Sequence, residues 1–191
     1  TYKKGVHMKK IALFSLCLFM AISNAQAKNK YEPDCKVSGF DNQTTCFVKP
    51  YGVWVDNKRT ASSFVSFGGT WTSAAPDSIG LAIFYGDAST NIKSVSFNID
   101  GNISEFKVDI LSNKVSRQGS LANTTSLLVV PVDYVRQLVK SKNVKYRVST
   151  ITDGYREGSF YSEKGAASEP ITTLKALLEK ADAKQPNKGG A

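Results

Sequence analysis

The stretch KSVSFNIDGNISEFKVDI (residues 93–110) carries the clearest structural signal in this chain. Both of its halves alternate apolar and polar residues with a period of two, as expected of strands with one buried face. Asp100-Gly101 separates the halves, and Asp-Gly is typical of a tight two-residue hairpin turn. The stretch therefore predicts an antiparallel β-hairpin. The predicted apolar face consists of Val95, Phe97, Ile99, Phe106, Val108 and Ile110.

The same alternation recurs along most of the chain. Residues 65–71, 127–130, 144–148 and 155–162 each read as a strand, and residues 78–85 are apolar on both sides, as in a strand covered on both faces. Asp153-Gly154 predicts a further turn. Because strands that follow one another through short turns pair in an antiparallel way, the sequence predicts a mainly β (α+β) fold, either an antiparallel β-sandwich or a curled sheet.

Two segments change from a period of two to helical spacing. The first predicts one short helix near residues 132–142, with Pro131 in its first turn and an apolar stripe on one side. The second predicts a C-terminal helix near residues 170–183, with Ser168 as its N-cap. The stripe of the first helix is Val132, Val135, Leu138 and Val139, and that of the second is Ile171, Leu174, Leu177, Leu178 and Ala181.

A succession of four elements resembles a pattern found in exported bacterial proteins of uncharacterised function. The elements are the hairpin at residues 99–101, the "VVP" strand that enters a short helix at 129–131, the "VKYRV" strand at 144–148 and the closing helix. The resemblance covers about residues 92–181 and includes no catalytic motif. The resemblance supports the predicted fold and export from the cell, and it implies no enzymatic activity.

The first residues of the chain predict export. Met8 is followed by two lysines, an apolar run at residues 11–22 and the small residues Ala25 and Ala27, an arrangement typical of a secretory signal peptide. We therefore expect upstream residues at 1–7, a signal peptide at 8–27, a single exported domain at 28–182 and a disordered tail at 183–191. The expected location is the periplasm or the extracellular space, with no transmembrane segment in the mature chain.

Removal of the signal peptide changes the inventory of reactive residues. The only histidine, His7, and one of three cysteines, Cys17, are lost, while Cys35 and Cys46 remain. An isolated pair of cysteines in an oxidising compartment predicts a disulfide bond. A zinc site needs three or four Cys or His ligands, and a redox pair is usually C-x-x-C, so we expect neither a metal nor any other cofactor.

The lack of histidine also narrows the possible reactions. Catalysis by Ser-His-Asp or Cys-His groups is excluded in the mature chain. A glycosidase that uses paired carboxylates remains open as an alternative, because it needs only two acids across a sugar cleft. Glu157 with Glu163, or Asp153 with Glu157, are formal candidates, although no pattern distinguishes them from other surface acids.

The strongest positive signal is basic. Removal of residues 1–27 lowers the net charge from +9 to +5, and no acid occurs between Asp133 and Asp153. Basic residues accumulate in this interval, and two pairs lie on common faces of the predicted helix and strand. They predict a patch for an anionic partner, and the simpler alternative is that they form the ordinary solvated faces of a helix and a strand. The patch residues are Arg136, Lys140, Lys145 and Arg147.

The identity of the partner is unknown from the sequence. Envelope polysaccharide, lipid head groups and an acidic protein suit a basic surface, and export makes nucleic acid unlikely. Trp54 and Trp71 suggest an aromatic platform for carbohydrate, but the alternation places Trp71 with the core. We therefore expect a non-enzymatic binding or accessory module of the bacterial cell envelope, with a glycoside hydrolase or a structural subunit of an envelope assembly as alternatives.

Overall fold

The computed structural model describes residues 29–119 and 121–184, so the predicted upstream residues, the signal peptide and most of the predicted tail lie outside the described residues. Strands account for 49% and helices for 18% of the structure, which confirms the mainly β fold. Both sheets are antiparallel, and one curls into a half-barrel.

The described residues form eleven strands and two α-helices. The strands are β1 (Asp34–Val37), β2 (Thr44–Gly52), β3 (Trp54–Val55), β4 (Val65–Thr72), β5 (Ser78–Gly86), β6 (Ile92–Ile99), β7 (Asn102–Lys107), β8 (Lys114–Gln118), β9 (Leu121–Pro131), β10 (Val144–Thr150) and β11 (Tyr155–Ser159). The helices are α1 (Val132–Lys140) and α2 (Glu169–Lys184). The first sheet has the strand order β1-β2-β4-β5-β9-β8, and the second has the order β3-β11-β10-β6-β7.

The core lies between the inner faces of the two sheets. Phe67 of β4 is fully buried, and its ring centroid lies 5.8 Å from that of Phe97 on β6 and 5.4 Å from that of Tyr146 on β10. Phe160, which follows β11, packs 5.0 Å from Phe67. Successive side chains of a strand point to opposite faces of its sheet. Because these aromatic residues lie on the inner faces, the residues next to them in sequence lie on the outer faces of the two sheets.

The hairpin predicted at residues 93–110 is present as β6 and β7. Asp100 and Gly101 have φ angles of 53° and 93°, the left-handed values that a type I′ turn requires at both positions. The prediction was wrong at its end, because β7 stops at Lys107 and Ile110 begins a short 3-10 helix in which it is 53% exposed. Val108 still donates a 3.0 Å hydrogen bond to the Lys93 carbonyl, and the chain then turns into the 3-10 helix, whose Leu111 N–H donates a 2.9 Å hydrogen bond to the Asp109 carboxylate.

Both predicted helices are present, with differences at their ends. Leu174 and Leu177 of α2 pack against β4 where Gly69 has no side chain. Pro131 ends β9 and precedes α1, because its ψ of 143° is extended. Ser168 directly precedes α2 as predicted, but among the described residues its buried hydroxyl has no hydrogen-bond partner, so it does not cap the helix through its side chain. α2 continues through Lys184, so the first two residues of the predicted tail are helical.

Cys35 and Cys46 form a disulfide bond. This confirms the predicted bond, and the cysteines face each other across two paired strands, β1 and β2. The side chain of Cys46, on β2, is completely buried. The bond therefore closes a short hairpin at the edge of the six-stranded sheet.

Reduction of this disulfide is expected to lower the free energy of unfolding by about 2 to 3 kcal/mol, because the crosslink restricts the unfolded chain. Urea unfolding of the oxidised protein and of the protein in a phosphine reductant measures the difference. A double variant, Cys35→Ala with Cys46→Ala, serves as the control, since its stability should not respond to reductant. Equal urea midpoints for the oxidised and reduced protein would contradict the prediction.

Candidate functional site

The candidate site lies at one end of the five-stranded sheet, where α1 leads into β10. A surface groove of about 850 Å³ runs along this end and is bordered by Trp54, Lys145, Tyr161 and Lys164. We call it the Trp54 groove. Hydroxyl groups of Ser159 and Ser162 and carboxylates of Asp56 and Glu163 complete its polar lining.

Strand register positions the groove residues. Lys145 of β10 lies between Asn98 of β6 and Ser159 of β11, and all three belong to the outward set of the sheet. Trp54 of β3 pairs with Ser159. The backbone carbonyl of Trp54 accepts a hydrogen bond of 2.9 Å from the buried Tyr146 hydroxyl, which ties the short β3 strand to the sheet.

The Trp54 ring is available to a ligand, whereas the other tryptophan is not. Trp54 is 41% exposed and Trp71 only 1% exposed. The Trp71 indole N–H donates a 3.1 Å hydrogen bond to the carbonyl of Pro76, so its polar atom is satisfied within the protein. Trp71, which follows the regular alternation of its strand, is therefore the core residue. Trp54, whose surrounding sequence shows no clear pattern, borders the groove.

Two residues of the predicted basic patch are held by carboxylates. Arg147 donates hydrogen bonds of 2.9 and 2.6 Å to Glu157 on the neighbouring strand, and these raise the pKa of its guanidinium above the ordinary value. Arg136 pairs with Asp133 at 2.9 Å and also with Asp182 of α2. The charges of both arginines are therefore largely balanced within the protein.

The two lysines of the patch remain available. Among the described residues neither Lys140 nor Lys145 forms an ion pair, and both are exposed. Lys145 lines the Trp54 groove, and Lys140 lines a separate cleft between α1 and the turn of the β6–β7 hairpin. Both cavities lie at the same end of the five-stranded sheet, since the Tyr161 hydroxyl donates a 2.6 Å hydrogen bond to the Ser141 carbonyl between them.

Sequence reasoning missed several groove residues. Tyr161 and Ser162 belong to the strand predicted at residues 155–162, but β11 ends at Ser159, so that prediction was wrong at its end. The chain turns away after β11, and its path brings these residues and Lys164 to the same groove as Lys145.

The acids considered for glycosidase chemistry occupy different surroundings. Glu157 is engaged by Arg147, and Asp153 accepts hydrogen bonds of 2.5 Å from Arg59 and 2.9 Å from Tyr85. Only Glu163 borders the Trp54 groove. Across residues 29–119 and 121–184, no group of three or more His, Cys, Asp or Glu side chains is arranged to hold a metal ion. Nor does any helix in this part of the chain have the length and apolar character needed to cross a membrane.

The fold and the groove together define a two-sheet antiparallel α+β protein with an open, lysine-bordered surface groove. Comparison with protein-family models, curated proteins and solved structures finds no match to this chain. Its functional interpretation therefore depends on the geometry of its own side chains.

Proposed function

We propose that this protein is a non-enzymatic, exported binding module of the bacterial cell envelope that holds an anionic glycan in the Trp54 groove. The observation that carries the proposal is that the exposed Trp54 and Lys145, a lysine without an ion pair in the described part of the chain, border one groove from opposite sides of Ser159. An aromatic face stacks on the apolar face of a sugar ring, and a lysine attracts its acidic substituent.

The shape of the groove supports an extended ligand. The groove is open to the surface, and its lining includes Lys145, Lys164 and several other polar side chains. A polysaccharide presents repeated hydroxyl and acidic groups along its length, so an open polar groove suits it better than it suits a small molecule, which usually binds in an enclosed pocket. The disulfide bond is compatible with an exported protein, because such bonds persist in oxidising compartments.

Trp54→Ala and Lys145→Ala are each expected to weaken binding of polygalacturonate by at least about tenfold, because they remove the stacking surface and the charge that attracts its carboxylates. Isothermal titration calorimetry at low salt measures the affinity, with neutral dextran as the comparison polymer. Added salt should weaken binding by the wild-type protein, since the attraction is partly between exposed charges.

Matched control variants separate the groove from the rest of the surface. Phe40→Ala removes a fully exposed aromatic ring from the β1–β2 hairpin, and Arg136→Ala removes a predicted patch residue that is already paired with acids. Both are expected to retain wild-type affinity for polygalacturonate. The proposal fails if the groove variants bind as well as these controls, or if dextran binds as tightly as polygalacturonate.

A second candidate function, a subunit of an envelope assembly, is favoured by the outer face of the six-stranded sheet. Strands β4, β5 and β9 contain no charged residue, and Leu127 and Val129 on their outward side are 45% and 64% exposed. An outward sheet face is usually polar, and apolar surfaces of this kind mark protein contacts. Co-purification of another envelope protein in fixed stoichiometry, lost in Val129→Lys, would support this candidate.

A further inference from the structure

Strand register places five outward side chains in one row across the five-stranded sheet. Trp54 on β3 pairs with Ser159 on β11, and Ser159 pairs in turn with Lys145 on β10. On its other side Lys145 pairs with Asn98 on β6, and Asn98 pairs with Ile103 on β7. Because neighbouring strands lie about 4.8 Å apart, the row extends about 19 Å from Trp54 to Ile103. We call these five residues the cross-strand row.

A second cavity continues the Trp54 groove along this row. It has a volume of about 240 Å³, and its lining includes Asn98, Ile103 and Lys145. Because Lys145 borders both cavities, they are adjoining parts of one surface. Ile103 is 72% exposed on an edge strand, where outward side chains are usually polar or charged. The row therefore ends in an exposed apolar side chain at β7, as it does at β3 with Trp54.

Asn98 offers oriented hydrogen-bond donors to the second cavity. Its Oδ1 atom accepts a 2.9 Å hydrogen bond from the N–H of Gly101 in the hairpin turn, which fixes the orientation of the amide. In the described part of the chain the NH₂ group of Asn98 makes no hydrogen bond, so its donors are available. Lys145 on the neighbouring strand adds a positive charge. This part of the row therefore suits carboxylate and hydroxyl oxygens of a ligand.

The next outward row of the sheet is less suitable for an anion. It consists of Glu157, Arg147, Ser96 and Glu105, again in strand register. Arg147 is already bound to Glu157, and Glu105 is exposed at the edge of the sheet. Like charges repel, so a carboxylate is disfavoured beside Glu105 and favoured beside Lys145. The charges thus direct an anionic chain along the cross-strand row.

We propose that the glycan crosses the strands along this row, with one sugar stacked on Trp54, an acidic group at Lys145 and Asn98, and a further sugar against Ile103. This inference rests on the proposed function and deepens it, because it assigns a second subsite and names the ligand class. The ligand is a linear oligomer of acidic sugars that is long enough to reach from β3 to β7. Affinity therefore increases with chain length until the oligomer covers the row.

Chemical-shift titration of the isotope-labelled protein with digalacturonate and hexagalacturonate tests the path of the ligand. We expect hexagalacturonate to shift amide signals on all five strands of the sheet, including β6 and β7. It should bind at least about tenfold more tightly than digalacturonate, which is too short to contact both ends of the row. Equal affinities for the two oligomers would overturn the inference.

Asn98→Asp tests the second subsite. The variant keeps the oxygen that accepts from Gly101 and replaces the NH₂ donors by a negative charge, so hexagalacturonate should bind about tenfold more weakly or worse. Asn123→Asp is the matched control, since Asn123 lies on the outward side of the other sheet and its Oδ1 atom also accepts a hydrogen bond, from Ser116. The control should bind with wild-type affinity.

Ile103→Ala tests the far end of the row and should weaken hexagalacturonate binding about threefold, because it removes part of the apolar contact. Ile151→Ala removes another exposed isoleucine, which follows the opposite end of β10, and should have no effect. The inference is overturned if hexagalacturonate shifts no amide of β6 or β7, or if either row variant binds like its control. Loss of binding in Trp54→Ala with wild-type affinity in Asn98→Asp would reject this inference and retain the proposed function. Absence of any binding by the wild-type protein would reject both.

Discussion

Replacement of Arg156 by alanine is expected to lower the free energy of unfolding by about 3 to 5 kcal/mol, as found when one member of a buried charged network is removed. Arg156 lies on the inner side of β11 and is only 2% exposed. Its guanidinium stacks 4.0 Å from the Tyr85 ring centroid, donates to the carbonyls of Phe64 and Gly86, and lies 3.6 Å from Asp153.

Loss of this side chain leaves several groups uncompensated. The Gly86 carbonyl loses the Arg156 donor, the Phe64 carbonyl keeps only its 3.0 Å hydrogen bond from the Gly86 N–H, and Asp153 loses one of its cationic neighbours. Tyr85 donates a 2.9 Å hydrogen bond to Asp153, and burial together with this bond raises the pKa of Tyr85 to about 12. The cluster connects the end of β5 to β11, so its disruption weakens the contact between the two sheets.

Urea unfolding followed by far-UV circular dichroism measures the effect, and Arg147→Ala provides the control. Arg147 also pairs with an acid, but it lies on the exposed side of the sheet. Such surface pairs contribute about 1 kcal/mol or less, so the control should lose little stability. A loss below about 1 kcal/mol for Arg156→Ala would show that the cluster does not stabilise the fold.

Gly158→Ala is expected to destabilise the protein by about 2 to 3 kcal/mol and to abolish polygalacturonate binding, because it displaces the strand that carries Trp54. A Cβ atom at Gly158 would overlap the Trp54 carbonyl oxygen and would lie 2.8 Å from the Trp54 carbonyl carbon. The neighbours are backbone atoms, which cannot rotate away as a side chain does. Strand β3 must therefore move from β11.

A second glycine variant makes this prediction specific. Gly39→Ala lies where no atom comes within 4 Å of the added methyl group, so it should change neither stability nor affinity. Calorimetric titration with polygalacturonate and thermal unfolding measure the two effects. If Gly158→Ala binds with wild-type affinity, β3 either tolerates the methyl group or does not hold Trp54 for the ligand.

The sequence was most informative where local patterns and turn chemistry agree. Asp100-Gly101 fixes a left-handed turn, and the alternation around Val95 and Phe97 fixes which face is buried, so the hairpin follows from short-range constraints. The predictions were less accurate at the ends of strands and helices. Ile110 continues the alternation beyond the point where a neighbouring strand is present to pair with it.

The candidate site was less accessible from the sequence. Lys145 and Arg147 have equivalent positions in the alternation, and both point outward as predicted, yet Glu157 pairs with one and no described acid pairs with the other. Arg156 is a charged residue of a kind that is usually found at the surface, but it is buried beside Tyr85. Charge availability depends on neighbours from distant segments, which periodicity does not encode.

The mainly β fold, both helices and the pairing of Cys35 with Cys46 follow from the sequence, because period, turn residues and the count of cysteines can be read directly from it. Which side chains share the groove depends on the tertiary structure: Trp54 and Lys145 border it from opposite sides of Ser159, and Arg156 is buried beside Tyr85. These juxtapositions arise from strand register and from packing between the two sheets, which bring together residues far apart in the chain.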